Sequence, residues 1–282
     1  EKQRNGKVEP AGKVKSRTEE MMNPLLEVKN LTVQFEKREG TRFSEKKERK
    51  KFAAVDSVNF CLYPDEILGI VGESGSGKST VARAVAGLIP ISSGSIVLDG
   101  EEITDKKGRD LRMIYKKIQM VFQSPADSFD PRKTLEYSIG ESLKNNGMTR
   151  KEVRTEVKKL LQSCELPEEF AAKYPREVSG GQCQRAAIAR ALAIRPKIIV
   201  FDEATSALDM TVQKKIMELL SGVKKTNGLS YLFICHDLAL VHKFCSRILV
   251  MHDGKIVEEG EPDAVIGNPR KEYTRQLIDA VL

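Results

Sequence analysis

The eight residues Gly72-Glu73-Ser74-Gly75-Ser76-Gly77-Lys78-Ser79 constrain this 282-residue chain more than any others. They follow the apolar run 66–71 and precede residues 78–88, which read as a helix. The pattern G-x-x-x-x-G-K-S between a strand and a helix is a phosphate-binding loop. Its glycines let backbone N–H groups turn inward around an anion. The helix that follows points its positive end at the same place. Lys78 would reach the β- and γ-phosphates, and the Ser79 hydroxyl would ligate Mg²⁺. Glu73, Ser74, Ser76 and Thr80 complete the residues around the bound phosphates. The alternative is an ordinary glycine-rich strand–helix turn, and the elements on both sides argue against it.

A second signal lies at residues 198–203, Ile-Ile-Val-Phe-Asp-Glu. Four apolar residues suit a central parallel strand, and ligands bind at the carboxyl end of such strands. Asp202 there can hold the metal, directly or through water. Glu203 can polarise a water for attack on a γ-phosphate. Alone, the segment could be a strand followed by an acidic helix cap. Beside a phosphate loop, the catalytic reading is the stronger one.

Ser179-Gly180-Gly181-Gln182 begins 23 residues before Asp202. Ser179 and Gln182 form a helix capping box, and the segment that follows is a good helix. A hydroxyl, two glycine N–H groups and a helix N-terminus also make an anion site. Capping alone does not call for two glycines, which weaken a helix start.

The rest of the chain sets the frame. Residues 1–24 read as a flexible tail. Strands are expected at 25–35, 55–62, 66–71, 95–98, 118–122, 197–201, 230–235 and 247–251. Helices are expected at 182–194, 211–225 and 237–245. Residues 36–51 are a charged insert, expected as a surface loop in a hairpin. Residues 134–175 carry little strand signal, and Thr149 to Glu152 is a capping box opening a helix. Strands alternating with helices imply a parallel α/β sheet covered on both faces.

The net charge of +7 invites a nucleic-acid reading. Its location argues against one. Residues 1–20 hold six basic and four acidic side chains, and residues 36–51 hold eight and four. These two segments account for nearly all of the excess, so no basic groove belongs to the fold itself. The five cysteines include no CxxC pair and fit a reduced, cytosolic protein. The three histidines, 236, 242 and 252, lack metal-site spacing. No apolar run approaches the roughly 20 residues that span a bilayer.

Together these motifs resemble the nucleotide-binding subunit of ATP-binding cassette (ABC) transporters, over about residues 25–282. Residues 72–79 resemble the Walker A loop and 198–203 the Walker B strand. Val178-Ser179-Gly180-Gly181-Gln182 is similar to the LSGGQ signature, with Val178 in place of Leu. Gln123 in Val121-Phe122-Gln123 resembles the Q-loop glutamine, a ligand or coupler of the Mg²⁺ site. Ser206-Ala207-Leu208-Asp209 resembles the D-loop, and His236 the switch histidine. Phe35 stands where the family's A-loop aromatic stacks on adenine. The resemblance implies a P-loop NTPase fold of α/β class. It also implies an antiparallel β subdomain, an inserted helical subdomain near 124–176 and a C-terminal extension near 255–282.

Within the family, Phe122-Gln123-Ser124-Pro125, Asp130-Pro131-Arg132, residues 206–213 and Tyr273-Thr274-Arg275-Gln276-Leu277 resemble the oligopeptide, dipeptide and nickel importer ATPases. The HP often found before YTR is Lys271-Glu272 here, and the C-terminal cysteine cluster of some members is absent. The resemblance implies an Mg²⁺-dependent ATPase at the cytoplasmic face of the cell membrane. Its partners would be two transmembrane permease subunits, a second homologous ATPase docked head to tail and, indirectly, an extracytoplasmic solute-binding protein. No nucleic acid is expected. In that assembly Glu203 is the base, His236 and Lys78 hold the γ-phosphate, and Ser179 to Gln182 and Asp209 face nucleotide across the dimer. Phe122, Phe129 and Tyr137 are candidate contacts to the permease. A soluble ATPase acting on nucleic acid or on a regulatory partner is the alternative. Only 101 residues separate Lys78 from Ser179, with no heptad run between them, which disfavours the DNA-acting kind.

Overall fold

The computed structural model describes residues 23–39, 48–206 and 208–280, without the side chains of 37–39 and 48–50. Most of the expected tail, the centre of the charged insert and Ala207 lie outside these residues. In chain order the elements are β1 (Leu26–Glu39), β2 (Glu48–Leu62), β3 (Ile67–Val71), α1 (Lys78–Val85), β4 (Ser93–Leu98) and β5 (Glu101–Glu102). Then come α2 (Gly108–Lys117), β6 (Ile118–Val121), α3 (Leu135–Asn145), α4 (Arg150–Ser163), α5 (Gly180–Leu192) and β7 (Ile198–Asp202). The chain ends with α6 (Met210–Asn227), β8 (Ser230–Ile234), α7 (Leu238–Phe244), β9 (Arg247–His252), β10 (Lys255–Gly260), α8 (Pro262–Gly267) and α9 (Glu272–Asp279).

Two sheets form. The central one has the order β10-β9-β3-β8-β7-β6. Its strands run parallel from β9 to β6, and β10 adds an antiparallel edge. The smaller sheet, β2-β1-β4-β5, is antiparallel throughout. The central strands are apolar on both faces because both are covered. Side chains alternate strictly between two cores. Ile199, Phe201, Tyr231 and Phe233 pack with α5, α6 and the helices of 135–172. Ile198, Val200, Leu232 and Ile234 pack with α1 and the antiparallel sheet. The Phe201 ring meets Tyr231 edge-on at 5.0 Å.

One sequence expectation needs correction. The charged insert is not simply a loop, because β1 and β2 continue into it. Glu36 pairs with Lys51, Lys37 with Lys50, Arg38 with Arg49 and Glu39 with Glu48. The alternation of apolar residues that marked the strands stops where the hairpin leaves the core. The backbone ladder does not need that alternation to go on. The segment α2 was missed for a similar reason: only Ile114 of its ten residues is buried.

The C-terminal helix is tied to the sheet by one carboxylate. Glu258 on β10 is buried, and its two oxygens accept the backbone N–H groups of Arg270 and Lys271, at 2.8 and 3.1 Å. Burial alone would raise its pKa. The Thr274 side chain, the two N–H donors and the Arg270 charge outweigh burial and hold it below the ordinary value. Glu258→Ala is expected to cost about 1–3 kcal/mol, since two donors lose their buried acceptor. Urea unfolding at neutral pH reads this. The wild-type advantage is present above the carboxylate range and should narrow as the pH falls through it.

Candidate functional site: a phosphate loop at the carboxyl edge of four strands

Four adjacent strands, β3, β8, β7 and β6, deliver the residues singled out in the sequence to one edge of the central sheet. The phosphate loop leaves β3, His236 follows β8, Asp202 ends β7 with Glu203 beyond it, and Gln123 follows β6. Parallel strands end on the same side, so residues 33 (Glu203 and His236) to 164 (Gly72 and His236) positions apart converge without any long-range device.

The loop is built around Lys78, which is only 3% exposed. Its ammonium donates to the carbonyls of Gly72 at 2.8 Å and Glu73 at 2.7 Å, and reaches the Ser76 hydroxyl at 3.5 Å. Burial lowers the Lys78 pKa, and the nearby carboxylates of Glu203 and Asp202 offset part of that. A cation seated on carbonyls beside an open turn can donate its remaining N–H groups to phosphate oxygens. Gly77 has φ +104°, and a Cβ there would lie 2.4 Å from the Ala54 carbonyl oxygen of β2. Only glycine fits, because the antiparallel sheet presses against the loop.

The Ser79 hydroxyl donates to Asp202 Oδ1 at 2.6 Å. Asp202 is buried, and the Arg83 guanidinium lies 3.8 Å from its other oxygen. A hydroxyl and a carboxylate meeting beside a phosphate loop form a hard oxygen donor set of the kind Mg²⁺ takes. Among the described residues no cluster of three His, Cys, Asp or Glu side chains competes for a metal. Glu203 has φ +49°, an uncommon conformation for a residue with a side chain, and its N–H donates to the Ile234 carbonyl of β8. Its Oε2 accepts from Gln123 Nε2 at 3.1 Å and lies 4.0 Å from His236 Nδ1. Gln123 also donates to the Ser206 hydroxyl at 3.4 Å. Glu203 therefore links the ends of β6, β7 and β8, and Asp202 joins the phosphate loop to them through Ser79.

Other candidates sit apart from this centre. At Ser179 the capping box is formed: its N–H donates to Gln182 Oε1 at 2.9 Å, and the Gln182 N–H donates back to the Ser179 hydroxyl. Hydrogen bonds at 179–182 stay within this turn and α5. Packing supplies a reason for one glycine that capping does not, since a Cβ at Gly181 would lie 2.6 Å from Val212 Cγ1 of α6. Asp209 caps α6, accepting the N–H groups of Thr211 and Val212. Phe129 is a core residue, 4% exposed under the Arg190 guanidinium, and is unavailable to a partner. Tyr137 is half-exposed, with Lys133 over its ring.

Phe35 is exposed and pairs across the hairpin with Phe52, also exposed. Phe52 was not singled out in the sequence. It lies two residues from Ala54, whose carbonyl touches Gly77, so the aromatic pair flanks the phosphate loop. Arg83 was also missed, although its place one turn after Ser79 on a helix was a usable signal. None of the five cysteines is in a disulfide, and burial pushes Cys235, which precedes His236, up to about 11. It stays a thiol, and its sulfur accepts the Asp237 N–H at 3.3 Å.

The described residues 55–206 match the family described as ABC transporter, over more than half of the chain. The chain belongs to the ABC transporter family. It is an ATP-binding, ATP-hydrolysing cassette with the P-loop NTPase fold. The oligopeptide transport ATP-binding protein OppF of Escherichia coli (strain K12) is 44% identical over 259 residues, covering 91% of this chain and 77% of OppF. The glutathione import ATP-binding protein GsiA of Salmonella paratyphi A (strain ATCC 9150 / SARB42) is 43% identical over 259 residues, covering 92% of this chain. The chain spans about two fifths of the length of GsiA (41%). Among solved structures, the ATP-binding cassette MJ0796, a dimer in a post-hydrolysis state bound to ADP and Pi, has a TM-score of 0.73 and 31% identity, covering 84% of this chain and 98% of that one. CbiO1 from Clostridium perfringens, part of the ABC transporter complex cbiONQ, has a TM-score of 0.73 and 26% identity, covering 87% and 91%.

Proposed function

We propose that this cassette powers a membrane importer for peptides or a similar small solute. The observation that supports it most is the 44% identity to OppF, spread over nearly the whole chain. The relatives named above carry peptide or glutathione in their names; none carries nickel, so peptide-like solutes are the preferred class. No helix among the described residues is long and apolar enough to cross a membrane. On this reading the spanning is done by two permease subunits, with the cassette at the cytoplasmic face beside a second ATPase. The extracytoplasmic solute-binding protein acts on it only through the permeases.

The chemistry assigned to the site follows from its residues. Bound Mg²⁺ would be held by Ser79 and Asp202, with Gln123 within the same network, and would neutralise phosphate charge. Lys78, seated on its loop carbonyls, donates to β- and γ-phosphate oxygens as they arrive. The inward N–H groups of the loop and the N-terminus of α1 add to the same field. Glu203 orients a water and accepts its proton. His236, beside Glu203, holds the γ-phosphate. Gln123 links this pocket to residues 124–176. Phe35 stacks on the base, and the exposed turn at Ser179–Gln182 faces a partner's nucleotide.

The test is affinity purification of the tagged chain from detergent-solubilised native membranes. Two multi-spanning permeases and a second cassette ATPase are the expected companions. Recovery of soluble partners or nucleic acid alone would overturn the importer reading and leave the ATPase chemistry in place.

A further inference from the structure

The sequence Tyr273-Thr274-Arg275 stood out without a chemical role, and the structure brings its tyrosine to the phosphate loop. The Tyr273 hydroxyl accepts the backbone N–H of Glu73 at 3.1 Å. That N–H belongs to the Gly72–Glu73 peptide. The carbonyl of the same peptide, on Gly72, accepts from Lys78 Nζ at 2.8 Å. One amide plane is thus held at its N–H by Tyr273 and at its C=O by Lys78. Tyr273 holds the N–H side of this plane, opposite the carbonyl that Lys78 holds.

The tyrosine is itself firmly seated. Its ring stacks on His252, with centroids 3.7 Å apart and planes 26° from parallel. His252 ends β9, a strand hydrogen-bonded to β3, from which the loop departs. Behind Tyr273, the start of α9 is fastened to β10 by Glu258. Partial burial raises the tyrosine's pKa against the lowering effect of the Glu73 N–H bond, and the phenol stays neutral.

We propose that Tyr273 is a positioning residue for nucleotide binding: it locks the Gly72–Glu73 peptide so that its carbonyl cradles the Lys78 ammonium where the β- and γ-phosphates arrive. Two donor–acceptor contacts on one amide also polarise it, so each strengthens the other. The C-terminal segment therefore helps to shape the phosphate site from outside it. The inference rests on the phosphate-loop reading of residues 72–79.

Tyr273→Phe isolates the hydroxyl, since the ring and its stack on His252 are kept. Binding of a fluorescent, non-hydrolysable ATP analogue to the full chain is expected to weaken about three- to tenfold, the range one hydrogen bond supplies. KM for ATP should rise by the same factor, with kcat at saturating ATP changed less than about twofold. The unfolding midpoint without nucleotide should match wild type. An unchanged dissociation constant would refute the assignment. A weakened one accompanied by a lowered nucleotide-free midpoint would also refute it, by making the contact merely structural. The wild-type titration decides the underlying reading separately, because failure there to bind the analogue would overturn the phosphate loop itself.

Discussion

Glu203→Gln is expected to reduce steady-state ATP hydrolysis by about 10²- to 10⁴-fold, the range a positioned general base contributes. ATP binding should be retained. The substitution keeps the shape and removes the charge. The amide can still hydrogen-bond with Gln123, now with either atom, so the 3.1 Å link to the Q-loop glutamine need not break. It cannot accept a proton from water. Glu203 holds φ +49°, and its carboxylate lies between Gln123 and His236, away from the core that β7 builds. The measurement is single-turnover hydrolysis beside equilibrium binding of the same nucleotide. Turnover near wild type would remove Glu203 as the base. Binding lost together with turnover would make it a structural member of the loop network instead.

Lys78→Ala is expected to remove tight nucleotide binding, weakening it by about 10²-fold or more, as befits a charge-assisted contact in a buried setting. The variant deletes an ammonium that three loop oxygens now surround. Without it, those carbonyls face one another and the neighbouring carboxylates of Asp202 and Glu203. The loop should then repel phosphate where it once drew it in. Isothermal titration with ATP and Mg²⁺ reads the effect. Affinity equal to wild type would show that backbone N–H groups alone suffice at this loop. Lys78→Arg is a useful companion: the charge stays, but the planar, longer head does not fit the site that Gly72 and Glu73 close around.

The candidate site was legible in the sequence because each of its parts lies at the end of an apolar strand. The runs before Gly72, Gln123 and Glu203, and the one ending at Cys235, marked the strands, and parallel topology brought their ends together. The capping boxes at Thr149 and Ser179 were legible for a local reason, since their bonds span only three residues. What escaped depends on contacts between distant segments. The hairpin arms beyond Glu36 are held by a cross-strand ladder that leaves no hydrophobic pattern. Phe52 gains meaning only when β2 is laid over Gly77, and Tyr273 only when α9 is folded back across 200 residues onto Glu73. The core position of Phe129 was likewise hidden, because an aromatic before Asp-Pro-Arg reads equally well as surface or interior.

One arrangement sets when the chain can first bind its nucleotide as it is made. The Gly254 N–H donates to the Ser76 carbonyl, the Asp56 N–H donates to the Gly254 carbonyl, and the β2 backbone at Ala54 packs against Gly77. The turn between β9 and β10 is thus wedged between the phosphate loop and the antiparallel sheet. A ribosome that has delivered residue 79 has made the whole motif but not the turn that braces it, and some 175 further residues must emerge before Gly254 arrives. Termination between residues 79 and 254 leaves the Walker A sequence intact without the turn that braces its loop. Stabilisation by ATP then falls mainly on chains in which that turn is already in place.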